Sequence, residues 1–175
     1  MRRVLLGLVL LLAVAGAAYW SLIRDTTVDA EVRLPRATAT IGSGADAVPV
    51  GPDGRLLGWL PLPEEVQLPQ LPPVDPPQGS RLAGPMLQQA RVLGAAPATL
   101  RPYLESSYYG ESGVDVVLRS GIELRFGDAS QATLKWKAAA TVLANPEITA
   151  LDYVDLRAPR RPAVGGSGHA LPPVQ

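Results

Sequence analysis

The chain has no cysteine, which excludes disulfide staples and thiolate metal sites and leaves stability to an ordinary packed core. With one histidine, His169, in a glycine- and proline-rich stretch, neither a histidine-dependent general base nor a multi-histidine metal centre is readily built. Sixteen basic and sixteen acidic residues cancel, so no excess of either sign points to nucleic acid or to an acidic partner. Proline and glycine, by contrast, are plentiful, eighteen and seventeen of 175 residues. They gather in Leu60–Gly79 and Pro159–Pro173, so the packed part is shorter than the chain and runs from about Val32 to Arg157.

Val4–Ile23 is twenty residues without a charge, about 30 Å as a helix, which matches the hydrocarbon thickness of a bilayer. Arg2-Arg3 ahead of it would also suit a signal peptide, with Ala13-Val14-Ala15 or Ala15-Gly16-Ala17 as a cleavage site. The apolar run continues through Tyr19, Trp20, Leu22 and Ile23, where aromatics fit an interfacial belt, before it meets Arg24-Asp25. That favours an uncleaved anchor, and the positive-inside rule puts residues 1–3 in the cytoplasm and everything after Arg24 outside.

The exported part reads as strands with two helices. Glu31–Ile41 alternates Val32, Leu34, Ala37, Ala39 and Ile41 with polar residues; Ala47–Val50 then turns through Gly51-Pro52-Asp53-Gly54 into Arg55–Leu60, a hairpin signal. The proline-rich segment 61–79 holds two Pro-x-x-Pro spacings, Pro69–Pro72 and Pro73–Pro76. A stiff connector across a sheet is the plainer reading and a polyproline ligand the sharper one. Pro85 suits the first turn of a helix over Pro85–Ala95 with Met86, Ala90 and Leu93 buried.

Arg119-Ser120-Gly121 predicts a three-residue hairpin loop with Gly121 left-handed, because that register faces Leu118 with Ile122, Val116 with Leu124 and Val114 with Phe126. A two-residue loop would pair Leu118 with Glu123. Asp115 and Arg125 then lie on the outer face. A second helix starts after Asp128 or Ser130 as N-cap, buries Leu134, Ala138 and Val142, and ends at Asn145-Pro146. The last strand, Leu151–Arg157, alternates Val154 and Leu156 inward with Tyr153, Asp155 and Arg157 outward. The fold class that follows is α+β, a largely antiparallel sheet with two helices on one face, preceded by one N-terminal transmembrane helix.

Residues with chemistry are few. Gly42-Ser43-Gly44-Ala45-Asp46-Ala47 loosely matches a dinucleotide fingerprint but runs into Val48-Pro49-Val50 instead of a helix, so it reads as a turn. Glu64-Glu65 sit in the connector, and Asp152 and Asp155 fall on opposite strand faces, so neither pair suits an acid/base dyad. Lys135-Trp136-Lys137 is either a basic-aromatic contact patch or a half-buried tryptophan between two solvated lysines. His169 falls in the glycine- and proline-rich tail. No enzyme, cofactor or metal site is expected.

The ordered set Arg125-Phe126-Gly127-Asp128, Leu134–Ala140, Tyr153-Val154-Asp155-Leu156-Arg157 and Ala163-Val164-Gly165, with Leu68-Pro69-Gln70-Leu71 upstream, resembles the C-terminal part of the bacterial cell-division family FtsQ/DivIB. The resemblance implies a short cytoplasmic stub (1–3), a membrane helix (4–23), a linker (24–33), the family's β domain (34–157) and a flexible tail (158–175). The family places a POTRA domain between membrane helix and β domain. Here only Val28–Arg33 separates Arg24–Thr27 from Leu34-Pro35, so most of POTRA is missing.

What the resemblance implies for function is assembly: a non-enzymatic, single-pass scaffold in the cell membrane at the division septum. It would bind FtsB/DivIC- and FtsL-type membrane proteins through its extracytoplasmic domain, with no nucleic acid and no small-molecule substrate. An edge strand can take a partner strand by β-augmentation, and the residues so implicated are Tyr153, Val154, Asp155, Leu156, Arg157, Ala158, Ala163 and Val164. Relatives with aromatic residues at the positions of Ala158 and Gly166 have a side-chain anchor that this chain lacks, so its binding would rest more on the backbone. The competing reading is a secreted or anchored extracytoplasmic protein-binding module unrelated to division.

Overall fold

Gly121 turns the chain at φ +93°, and around it the central hairpin closes in the register that the apolar alternation demands. Strands β5 (Gly113–Leu118) and β6 (Glu123–Gly127) set Val116 opposite Leu124, and the Leu118 amide donates to the Ile122 carbonyl at 2.9 Å. Val114 departs from expectation. A bulge between Val114 and Asp115 places it opposite Gly127 instead of Phe126, and Gly127 takes φ +70° to accommodate the shift.

The computed structural model describes residues 36–42, 44–63, 66–73 and 79–172. The expected span Val4–Ile23 and the acidic pair Glu64-Glu65 lie outside them. Among the described residues no helix is long and apolar enough to cross a membrane.

Before the hairpin come β1 (Ala39–Ile41), β2 (Val48–Val50), β3 (Gln70–Leu71), helix α1 (Gly84–Gly94) and β4 (Leu104–Gly110); after it come helix α2 (Ala132–Leu143), β7 (Ala150–Asp155) and β8 (Ala163–Ala170). Among the described residues eight strands make one sheet in the order β2-β1-β3-β4-β5-β6-β7-β8. Its β1–β2, β4–β5, β5–β6 and β7–β8 pairs are antiparallel, while β1–β3, β3–β4 and β6–β7 are parallel.

The turn Gly51–Gly54 leads into a bridge, not a full strand: Val50 pairs with Leu56, and the Leu57 amide reaches the Pro49 carbonyl at 2.8 Å. The Gly42–Ala47 segment is a turn holding one short 3-10 helix, Gly44–Asp46. The proline-rich connector does more than cross the sheet. Between Pro69 and Pro72 it supplies β3, which pairs with β1 through Gln70 and Leu71 and with β4 through Gln70; neither residue is a proline, so both keep the amide that a ladder needs.

Both helices close over one core. α1 has Pro85 in its first turn and buries Ala90 and Leu93 as expected, together with Gln89 and Val92, while Met86 is partly covered. α2 is rotated from the predicted phase. Leu134 is 39% exposed and Trp136 is 1% exposed, because the large indole takes the core position against Phe126, ring centroids 4.7 Å apart. Its Nε1 donates to the Val92 carbonyl at 2.7 Å, tying α2 to α1.

Lys135 is buried too, so the basic-aromatic patch is not on the surface. Its ammonium donates to the carbonyls of Phe126 and Asp128 and to the Asp128 carboxylate at 2.9, 3.0 and 2.9 Å. Asp128 is therefore no N-cap. It receives the Ser130 amide and hydroxyl, and these bonds with Lys135 pull its pKa down to about 2. The helix starts instead after Gln131 at φ +53°.

The tail expected after Arg157 contains a strand. Residues Ala163–Ala170 form β8 on β7, so Tyr153–Asp155 lie inside the sheet and β8 is the edge. His169 belongs to that strand, opposite Leu151, with its ring over Gly121.

Candidate functional site

Strand pairing carries polar residues in rows across the outer sheet face. Tyr108 stands opposite Asp115, Asp115 opposite Arg125, and Arg125 opposite Asp155, which faces Ala163 on β8. In the next row Glu123 faces Tyr153 and Tyr153 faces Gly165. The Arg125 guanidinium stacks 4.0 Å above the Tyr153 ring and pairs with Glu123 at 2.5 Å, while Tyr108 Oη donates to Glu123 at 2.8 Å.

These contacts set the protonation of the face. Burial and the Glu123 carboxylate push the Tyr108 phenol up to about 12. Burial raises Glu123 as well, but the bonds from Arg125 and Tyr108 outweigh it and hold the carboxylate ionised below its usual range. Asp155 is lowered by its bonds from Arg157, whose Nη2 lies 2.5 Å away. Asp115 goes the other way, to about 6, because it is buried and feels the negative charge of Glu123 nearby; its Oδ1 has no hydrogen-bond partner.

The eight residues singled out from sequence fall into three groups. Val154 and Leu156 are fully buried, so their side chains belong to the core. Tyr153, Asp155 and Arg157 form the face just described. Ala158, Ala163 and Val164 are exposed, Val164 by 43%.

Beyond Val164, β8 reads Gly165-Gly166-Ser167-Gly168-His169-Ala170 and is solvent-facing along nearly its whole length. Between the pairs Leu151–His169 and Tyr153–Gly165, one residue of β7 opposes three of β8. Asp152 fills that bulge and accepts the Gly168 amide at 2.7 Å. Gly166 turns at φ +79° beneath it, where any Cβ would collide with the Asp152 carboxylate. The strand thus offers backbone and little side-chain bulk at an edge that is free among the described residues. The glycine-rich composition of 165–168 carried this signal, but by composition alone it reads as tail.

Among the described residues no three acidic, histidine or cysteine side chains are grouped to hold a metal ion. Fold and edge together define an α+β sheet domain whose terminal strand has, among the described residues, a neighbour on one side only. Residues 39–157 match the family model of the cell division protein FtsQ/DivIB, C-terminal, and the chain belongs to that family of division scaffolds. The match covers β1 to β7 and stops before β8. Comparison with curated proteins finds no match.

Proposed function

We propose that this protein is a single-pass membrane scaffold of the division machinery whose exported β domain binds FtsB/DivIC- and FtsL-type partners by accepting a strand along β8. The observation that carries the reading is the edge itself: among the described residues Ala163–Ala170 pairs only with β7, and it is exposed at every residue but Gly165, with five of its eight residues glycine or alanine. An incoming strand would satisfy the outer N–H and C=O groups in the way an internal neighbour does. Val164, exposed opposite buried Val154, would give the added strand an apolar foothold. Arg157 and Asp155 at the start of the edge would fix register through charge. Tyr153 and Val154 act here as the support under β8, and Leu156 and Ala158 as the turn that delivers it. The anchor is Val4–Ile23, with the β domain extracytoplasmic at the septum.

The test is binding of Asp25–Gln175 to the exported coiled-coil segment of an FtsB/DivIC-type protein from the same cell. A chain ending at Pro162 removes β8 while leaving the buried Leu151, Val154 and Leu156 in place. Saturable binding that is lost on this truncation, with near-ultraviolet circular dichroism unchanged, supports the reading. No binding by the folded long form up to ~1 mM, about −4 kcal/mol, would sink it.

A further inference from the structure

The edge that β8 presents is not uniform along its length. Between the pairs Tyr153–Gly165 and Leu151–His169, the three residues Gly166, Ser167 and Gly168 stand against Asp152 alone. Gly166 turns there at φ +79°, and Asp152 holds the displaced backbone by accepting the Gly168 amide at 2.7 Å. Beyond the bulge the chain rejoins β7, with His169 opposite Leu151 and Ala170 opposite Ala150. A bulge bends its strand and raises the local twist, which carries the outer N–H and C=O groups of an edge out of the line that an added strand needs. Ala163–Gly165, in step with Asp155, Val154 and Tyr153, keeps that line over about 10 Å.

So short a ladder carries few bonds. Neighbouring residues of a strand send their backbone groups to opposite sides, so either Val164 alone or Ala163 and Gly165 together face outward, which gives a newcomer about two or four hydrogen bonds. Side chains must supply the rest, and one lies on each face of the sheet. Val164, opposite buried Val154, is 43% exposed. On the other face the Tyr153 ring reaches over Gly165, where a Cβ would come 2.6 Å from its hydroxyl. Among the described residues the Arg125 guanidinium stacks on this ring, and no group hydrogen-bonds the hydroxyl. A residue settling beside Gly165 on that face meets a phenol free to donate or accept.

We propose that β8 accepts a short extended segment of its partner in register with Ala163–Gly165 only. That segment sets an apolar side chain beside Val164 and a hydrogen-bonding side chain beside Gly165 against the Tyr153 hydroxyl, and the bulge at Gly166–Gly168 then turns the partner off the sheet. Length and register are fixed by the bulge, and specificity by one side chain on each face. The inference rests on the reading of β8 as a strand acceptor, and its test separates the two.

Amide exchange in the full chain is followed residue by residue, alone and with the exported coiled-coil segment of an FtsB/DivIC-type protein at about ten times its Kd. At that excess an amide covered only by the partner slows about tenfold. At least one amide of Ala163–Gly165 should slow so, and none of Gly166–Ala170 should change. Tyr153→Phe keeps the ring over Gly165 and removes the hydroxyl. It should weaken binding about fivefold while exchange along β7 stays as in the parent.

Slowing that runs on through Ser167 to Ala170 overturns the length limit and leaves β8 standing as a strand acceptor. Unchanged affinity in Tyr153→Phe overturns the polar contact. Binding with no slowing anywhere on β8, or no saturable binding at all, defeats the strand-acceptor reading and this inference with it.

Discussion

Tyr153 lies so close against Gly165 that a Cβ on the glycine would come 2.6 Å from the ring's Cζ and hydroxyl. The ring is also held by the Arg125 guanidinium, 4.0 Å from its centroid. Arginine, tyrosine and glycine thus add a side-chain contact to the backbone ladder that joins β8 to β7.

Gly165→Val should therefore expel the tyrosine ring and cost about 1–3 kcal/mol, read as a lower denaturant midpoint. Tyr153→Ala removes the obstacle in advance, so the double variant should fall well short of additivity. Additive losses would mean that ring and glycine are independent.

Asp115 predicts a pH dependence. Its folded pKa is about 6, against about 3.9 in the unfolded chain, so between those values the folded state holds the extra proton. Stability from this group is full below about pH 4 and declines as pH rises through 6. Asp115→Asn should be about 1–2 kcal/mol more stable than the parent at pH 7.5 and equal to it near pH 3.5. A difference of constant size across that range would refute the assignment.

Lys135→Met keeps the apolar stem but removes three bonds, leaving the Phe126 and Asp128 carbonyls without this donor. A loss of about 1–3 kcal/mol is expected, with Lys135→Arg recovering part of it. Thermal unfolding of the three proteins decides the matter.

Proline scanning separates the two sides of β8. Neighbouring residues of a strand send their amides in opposite directions, so of Ala163→Pro and Val164→Pro one breaks the β7 ladder and the other removes an outward donor only. One variant should lose stability; the other should stay folded and bind a β-strand partner more weakly. If both fold and bind as the parent does, strand addition at this end of the edge is wrong.

Much of this was legible in the sequence where local rules act alone. The Leu118–Ile122 turn followed from matching apolar faces, and α1 from Pro85 and its spaced apolar residues. The phase of α2 was missed because the periodicity weighed Leu134, Ala138 and Val142 alike, while packing gave precedence to one indole, and because a lysine is buried once three oxygens converge on it. β8 was missed for a related reason. Glycine carries no pattern of alternation, and only the three-dimensional fit of Asp152 and Tyr153 over Gly165–Gly168 shows why side chains are excluded there. On the outer face, the strand alternation places Tyr153, Asp155 and Arg157 outward, whereas Tyr108, Asp115 and Glu123, which share that face, come from other strands that no local pattern brings together.

The two-residue strand β3 gives the domain a mechanical weak point. It meets β4 through a single residue pair, Gln70 with Ser106, so the sheet narrows to one joint between its first three strands and its last five. A molecule tethered ahead of Arg36 and gripped at β8 would be pulled across its strands, and the load would pass through that joint. Helix α1 touches β1, β4 and β5 and so splints it from the core side. Tension between the two ends would then be borne by the packing of Ala90, Val92 and Leu93 more than by backbone pairing, and the sheet would part at β3 before β8 came away from β7.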